Sequence, residues 1–185
     1  MFFIDFLNGE LPETEHGYKW LLVVIDGFTR YPFAIPLRNK TSEEVAENLL
    51  THVFCHTGLP LCVHSDNEAT LISRSITIAY TEMGIRKTQS SLRHPQGNSP
   101  AERFNRYLNE SLSIVLPNYL DWPRMLPMIL FAYRALSQET TGYSPFFLMY
   151  GRHLLLPLQA STIAPFTMSA YTEDAELRSS LMGLQ

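Results

Sequence analysis

Three carboxylates stand at places in the chain where a charged side chain needs a partner. Asp5 interrupts an apolar stretch at residues 2–7, Asp66 directly follows another at residues 61–65, and Glu102 falls in the first turn of a predicted helix. A carboxylate in apolar surroundings is costly unless it is hydrogen-bonded, metal-bound or at a hydrated strand end. Together, the three are candidates for a catalytic or metal-binding set.

Each carboxylate taken alone also has an ordinary structural explanation. Asp5 fits a residue that caps a turn, and Asp66 fits a loop residue. Glu102 completes a capping box with Ser99, and Pro100 occupies the first helical position. These explanations remain open for the individual residues, and only the combination favours a shared site.

The chemistry that this combination suits is metal-assisted reaction at phosphate. Magnesium prefers oxygen ligands, and a two-ion site needs carboxylates from separate elements that leave positions open for phosphate and water. Two aspartates at strand ends and a glutamate on a neighbouring helix can supply that geometry. Glu102, Arg106 and Asn109 share one helix face and are predicted to line a groove.

The charge distribution points to one basic zone on an acidic chain. The net charge of −4 argues against general coating of nucleic acid, because duplex binding depends mainly on neutralised phosphates. Residues 84–107, however, carry a local charge of +4. Within this zone Arg93, Arg103 and Arg106 are candidates for phosphate contact, with plain solvation as the alternative.

The order of predicted elements indicates a mixed α/β layer fold. Strands are predicted at residues 2–7, 20–26, 31–37, 61–65 and 85–90, and helices follow Thr41, precede Gly84, begin at Pro100 and cover residues 122–136 and 145–150. Such a series gives a sheet with helices packed on it. Two prolines, Pro32 and Pro36, place the third strand near an edge.

Length and composition predict one domain over residues 1–158, followed by a polar tail at residues 159–185 that we expect to be poorly ordered. No apolar run approaches the eighteen residues needed to cross a bilayer, and the first residues lack the features of a signal peptide. We therefore expect a nuclear or intracellular protein with no membrane partner. Cys55 and Cys62 are interpreted as buried thiols.

A family resemblance follows from the spacing and from several strings. Asp66 and Glu102 have 35 residues between them, and an aspartate precedes them in a strand. The chain contains IDFLNGELP around Asp5, WLLVVIDGFTRYPFAIPL, VHSDN at Asp66, GIRKTQSS, HPQGNSPAERFNR around Glu102, and LFAYRALSQETTGYSPFFLMYGR. Over roughly residues 2–158 it resembles the integrase catalytic cores of retroviruses and of Gypsy-type long-terminal-repeat retrotransposons, which are Asp-Asp-Glu polynucleotidyl transferases.

The resemblance implies a ribonuclease-H-like fold with a mixed five-stranded sheet flanked by helices. It implies 3′-end processing of element DNA and strand transfer into target DNA, with two Mg²⁺ or Mn²⁺ ions and no small-molecule cofactor. Asp5, Asp66 and Glu102 would be the metal ligands, and the loop residues His94, Gln96, Gly97 and Asn98 would lie beside the site. DNA and further copies of the chain are the implied partners. Asp26 matches a family aspartate without a ligand role, so we interpret it as a turn residue.

The chain departs from the family pattern at Glu68, where glycine is usual. We expect this glutamate to strain the turn, because glycine often marks positive φ, and to point towards solvent. The chain has no room for the family's N-terminal zinc domain or its C-terminal DNA-binding module, which fits a fragment of a polyprotein product or an element-derived remnant. The alternatives to an integrase core are therefore a catalytically weak or inactive remnant that binds nucleic acid or protein, and another nuclease or transposase of the same fold.

Overall fold

The continuous aliphatic stretch WLLVVID forms a buried strand within a five-stranded sheet. In the computed structural model, which describes residues 1–7, 11–89, 99–116 and 121–156, the strands are β1 (Phe2–Phe6), β2 (Trp20–Asp26), β3 (Pro32–Leu37), β4 (Cys62–Ser65) and β5 (Arg86–Gln89). Their order across the sheet is β3-β2-β1-β4-β5. The first three strands are antiparallel neighbours, and β4 runs parallel to both β1 and β5. The mixed five-stranded sheet and the edge position of the proline-containing strand are confirmed.

The helices follow the predicted order. They are α1 (Ser42–Leu49), α2 (Cys55–Thr57), α3 (Arg74–Glu82), α4 (Ser99–Val115), α5 (Leu126–Ala135) and α6 (Pro145–Tyr150), with a π-helical stretch at Leu50–Phe54 and a 3₁₀ turn at Trp122–Met125. Thr41 caps α1 by accepting a hydrogen bond from the Glu44 N–H group. The Glu44 carboxylate accepts from the backbone N–H groups of Arg38 and Asn39, which precede the helix.

Alternation along β1 separates the main core from the face that carries Asp5. Phe2, Ile4 and Phe6 belong to a buried apolar cluster with residues of α1, α3 and the neighbouring strands. Asp5 faces the opposite side, where it meets α4. That helix presents an apolar stripe of Ala101, Phe104, Leu108 and Leu112, all buried. The sheet therefore has the main core on one face and α4 on the other, and Asp5 lies on the α4 side.

The chain divides within α5 into two units, Met1–Ala132 and Tyr133–Gln185. In the second unit, Ser144 caps α6 through a hydrogen bond from the Phe147 N–H group, and Gly151 ends the helix with a left-handed φ of 66°. No helix among the described residues is long and apolar enough to cross a membrane. The predicted tail lies outside the described residues. Cys62 is buried as expected, whereas Cys55 is exposed at the start of α2.

Candidate active site

Sheet register brings Asp5 and Asp66 to adjacent positions. The parallel ladder between β1 and β4 pairs Phe2 with Val63 and ends with Ile4 opposite Ser65. The next residue along each strand is an aspartate, Asp5 on β1 and Asp66 just beyond β4. Because parallel strands end at the same edge of a sheet, the two aspartates share that edge.

Asp5 is buried and makes two defined hydrogen bonds. Only 8% of the residue is exposed. Its Oδ1 accepts from the Phe6 N–H group at 2.8 Å, and its Oδ2 accepts from Asn105 Nδ2 at 3.0 Å. The same Asn105 amide also donates to the Phe6 carbonyl oxygen at 3.3 Å. Asn105 thus ties α4 to the strand that carries the aspartate and fixes the orientation of the Asp5 carboxyl group.

The pKa of Asp5 is shifted by burial and by the charged groups around it. Burial is the largest cause that raises this pKa, to about 7, and the negative charge of Asp66 adds to it. Glu102 raises the pKa further, so both other carboxylates act on Asp5 electrostatically. The Phe6 N–H group and the Lys40 ammonium group oppose the shift. The negative charges of Asp66 and Glu102 and the positive charge of Lys40 therefore all act on the Asp5 carboxyl group.

Asp66 is half-buried and shapes the loop that follows it. Its Oδ1 accepts a hydrogen bond from the Glu68 N–H group at 3.1 Å, the side-chain turn that aspartate commonly forms. Among the described residues other than glycine, positive φ occurs at Arg30 alone. Glu68 therefore has negative φ, and the strain expected at this position is absent.

Glu68 also does not point into open solvent. Its Oε1 lies 3.1 Å from the Lys40 Nζ, and the two side chains are 35% and 23% exposed, respectively. Glu68 is not among the groups that shift the pKa of Asp5, which agrees with an orientation away from that residue, but its carboxylate is paired rather than surrounded by solvent alone. The partner is a cation from the segment before α1, which no pattern near Glu68 in the sequence indicates.

The remaining predicted residues divide into described and undescribed groups. Glu102 is exposed in the first turn of α4, where the helix dipole favours a negative charge. Arg103 and Arg106 are exposed on the same helix. The predicted loop residues Arg93, His94, Gln96, Gly97 and Asn98 lie outside the described residues. Asp26, in contrast, is confirmed as a turn residue, because its Oδ2 accepts from both the N–H and hydroxyl groups of Thr29.

A divalent cation suits the charge of this carboxylate set, because it would offset the repulsion and burial that act on Asp5. Within the part of the chain that the structure describes, however, no three His, Cys, Asp or Glu side chains lie close enough together to hold one ion. Both oxygens of Asp5 already accept hydrogen bonds, and Glu102 is exposed on its helix. Asp66 and Glu102 therefore act electrostatically on Asp5, while the described residues form no closed metal cluster.

Two residues beside the site were missed by sequence reasoning. Asn105 is 5% exposed. In the sequence it could have been noticed as a polar residue within the apolar stripe of α4. Lys40 lies near Asp5, and its Nζ is 4.2 Å from the centroid of the Phe6 ring. A lone lysine before a helix gives no such indication, so only the folded structure identifies it.

Comparisons with known proteins agree on one family. Residues 1–95 match the model of the integrase core domain. The chain is 33% identical over 150 residues to the Gag-Pol polyprotein of feline leukemia virus, and 32% identical over 171 residues to the Pol polyprotein of feline endogenous virus ECE1. These alignments cover 80% and 91% of this chain but only 9% and 16% of the polyproteins. The chain thus spans a small part of the length of these relatives.

Solved structures show the same fold at lower identity. The chain is similar to a protein of the simian T-cell lymphotropic virus intasome, with a TM-score of 0.69 and 23% identity over 90% of this chain and 58% of that one. It is also similar to the catalytic core domain of BIV integrase, with a TM-score of 0.64 and 20% identity over 80% and 91% of the two chains. The fold is ribonuclease-H-like, as predicted, and the chain belongs to the integrase core domain family.

Proposed function

We propose that this chain is an integrase catalytic core that carries out metal-dependent 3′-end processing and DNA strand transfer. The observation that carries the proposal is the placement of Asp5 and Asp66 at adjacent strand ends, with Glu102 acting electrostatically on Asp5. These three residues would hold two Mg²⁺ or Mn²⁺ ions. When bound, the ions would activate the attacking water or 3′-hydroxyl group and stabilise the leaving oxygen.

The chain's own residues would prepare this site in defined ways. Asn105 holds the Asp5 carboxyl group in one orientation through its 3.0 Å hydrogen bond. Because burial and neighbouring charges raise the pKa of Asp5 to about 7, cation binding would be accompanied by loss of its proton near neutral pH. Glu102, exposed on α4, would turn towards the two aspartates.

The proposed partners are DNA and further copies of the chain. Arg103 and Arg106 on α4 would contact backbone phosphates together with Arg93, and His94, Gln96 and Asn98 would lie beside the DNA end. Two relatives support the proposed cation and assembly: the HTLV-2 integrase core was solved with magnesium in a trimeric form, and the simian virus protein was solved in an intasome. We also propose that the protein acts in the nucleus or elsewhere inside the cell, where a DNA-joining activity would meet its substrate.

The test is resolution of a branched oligonucleotide that mimics a strand-transfer product. The purified chain is incubated with labelled branched DNA in Mn²⁺, Mg²⁺ or EDTA, and the products are separated on a denaturing gel. The expected result is a metal-dependent product that Asp66→Asn abolishes and Asp26→Asn preserves, since Asp26 is bonded within its own turn. A product that persists in Asp66→Asn would contradict the assignment.

One observation favours a second function, that of a remnant which binds nucleic acid or protein without catalysis. Glu68 stands where the family usually has glycine, and its carboxylate is paired with Lys40 at 3.1 Å beside the proposed ligand Asp66. The two functions differ in the same assay. A remnant would bind the branched DNA with equal affinity in metal and EDTA and would leave it uncut, whereas a catalytic core would resolve it.

A further inference from the structure

Lys40 is held beside the carboxylates by contacts on several sides. Its Nζ lies 3.1 Å from Glu68 Oε1, 4.2 Å from the centroid of the Phe6 ring and 5.1 Å from that of Trp20. Phe6 directly follows Asp5 on β1 and points to the opposite face of the sheet, and the positive charge of Lys40 lowers the pKa of Asp5 as the smallest of the contributions to its shift. An ammonium group packed over two aromatic faces is attracted to both. A cation is thus fixed at the edge of the sheet where the aspartates lie.

The loop that carries Glu68 is fastened to the segment that carries Lys40. Thr70 donates its hydroxyl hydrogen to the Lys40 carbonyl oxygen at 3.0 Å, and the Ser42 hydroxyl is 2.7 Å from that of Ser73. The backbone of Glu68 is held separately, by its hydrogen bond to Asp66 Oδ1. These contacts keep the two segments together without the ion pair. Lys40 can therefore exchange the Glu68 carboxylate for another anion while the loop stays in place.

We propose that Lys40 is a phosphate-binding residue of this edge of the sheet, and that Glu68 is an internal competitor that occupies its ammonium group when DNA is absent. The choice of phosphate as ligand rests on the proposed function: a backbone phosphate that approaches Asp5, Asp66 and Glu102 is repelled by the negative charge of these carboxylates. Lys40 is the cation among the described residues that acts on Asp5, and at 23% exposure its side chain is still reached by solvent. A partly exposed ion pair is weak enough for a phosphate to replace the carboxylate.

The test measures binding of a labelled DNA duplex in EDTA over a series of salt concentrations, so that turnover plays no part. The proteins are the wild type, Glu68→Gln, Lys40→Met and the double variant. Glu68→Gln is expected to tighten binding about three- to tenfold and to steepen the salt dependence by roughly 0.9, the slope of one further neutralised phosphate. In the Lys40→Met background, the same substitution is expected to have no effect.

The matched control is Glu82→Gln, which removes the same charge from an exposed position at the end of α3. If it tightens binding as much as Glu68→Gln, or if Glu68→Gln acts equally without Lys40, net charge is the cause and the proposal is overturned.

Should Lys40→Met fail to fold, the salt slope of Glu68→Gln decides alone, since an unchanged slope contradicts a released cation. If the wild type resolves branched DNA but this slope is unchanged, only the Lys40 proposal fails. If neither the wild type nor any variant binds DNA, the Lys40 proposal and the proposed function both fail.

Discussion

The side-chain amide of Asn105 donates to Oδ2 of Asp5 at 3.0 Å, linking residues 100 positions apart. The hydrogen bond joins the helix that carries Glu102 to the strand that carries the first aspartate. Asn105 Oδ1 is buried and has no hydrogen-bond partner among the residues that the structure describes. A buried amide kept with one unsatisfied oxygen indicates that its donor contacts with Asp5 and the Phe6 carbonyl outweigh that cost.

Replacing Asn105 by alanine is expected to destabilise the protein by about 1–3 kcal/mol, because the buried Asp5 carboxyl group loses a donor. The loss should be larger at pH 8 than at pH 5, since an ionised carboxylate depends more on that donor. Urea unfolding at the two pH values measures it. Asn109→Ala, an exposed change one helical turn further on, is the control, and equal losses at both pH values would contradict a role through Asp5.

The raised pKa of Asp5 predicts the sign of a pH effect on stability without metal. A carboxyl group that titrates near 3.8 when unfolded and about 7 when folded binds its proton more tightly in the native state. The free energy of unfolding should therefore fall as pH rises from about 4 to 7 and then level off, by at most roughly 4 kcal/mol. Asp5→Asn should remove this dependence, as followed by urea unfolding in EDTA from pH 4 to 8. A wild type and variant with parallel pH profiles would contradict it.

Much of the fold could be predicted because its signals are local. The aliphatic stretch of β2, the proline-containing edge strand and the apolar stripe of α4 each follow from residues close together in the sequence. The adjacency of Asp5 and Asp66 needs one more step, the parallel pairing of β1 with β4. The family resemblance, rather than the local pattern, indicated that step.

What could not be predicted depends on contacts between distant segments. The strain expected at Glu68 was inferred from one residue type, whereas the backbone there is set by Asp66 and the side chain by Lys40. In the same way, a polar residue among apolar ones on α4 signals a partner but does not identify it as Asp5. Contacts between segments that are distant in the sequence, and not local propensity, determine the conformation of Glu68 and the partner of Asn105.

Divalent cations are expected to raise the melting temperature of the wild type. A ligand that binds only the folded state stabilises it by about 1.4 kcal/mol at ten times its dissociation constant, which corresponds to a few degrees for a domain of this size. Thermal unfolding in increasing Mn²⁺ at pH 7.5 measures the shift, and Asp66→Asn should lose it. Asp26→Asn is the control, because this aspartate is bonded to Thr29. An equal shift in Asp66→Asn would place the cation elsewhere.

Arg106 is expected to bind DNA through phosphate, independently of base sequence. It is exposed on α4, one helical turn beyond Glu102, so a duplex that reaches the carboxylates would run along it. Arg106→Glu should weaken binding to duplexes of different sequence by a similar factor, and Arg106→Gln should reduce the salt slope by roughly 0.9, as one phosphate contact is lost. Fluorescence anisotropy over a salt series measures both quantities. Arg124→Glu reverses the charge of another exposed arginine, which is 83% exposed beside Asp121, and should change affinity only through net charge. If Arg106→Glu and Arg124→Glu weaken binding equally, α4 does not carry the DNA, because a residue that contacts phosphate must lose more affinity than one that alters only the overall charge.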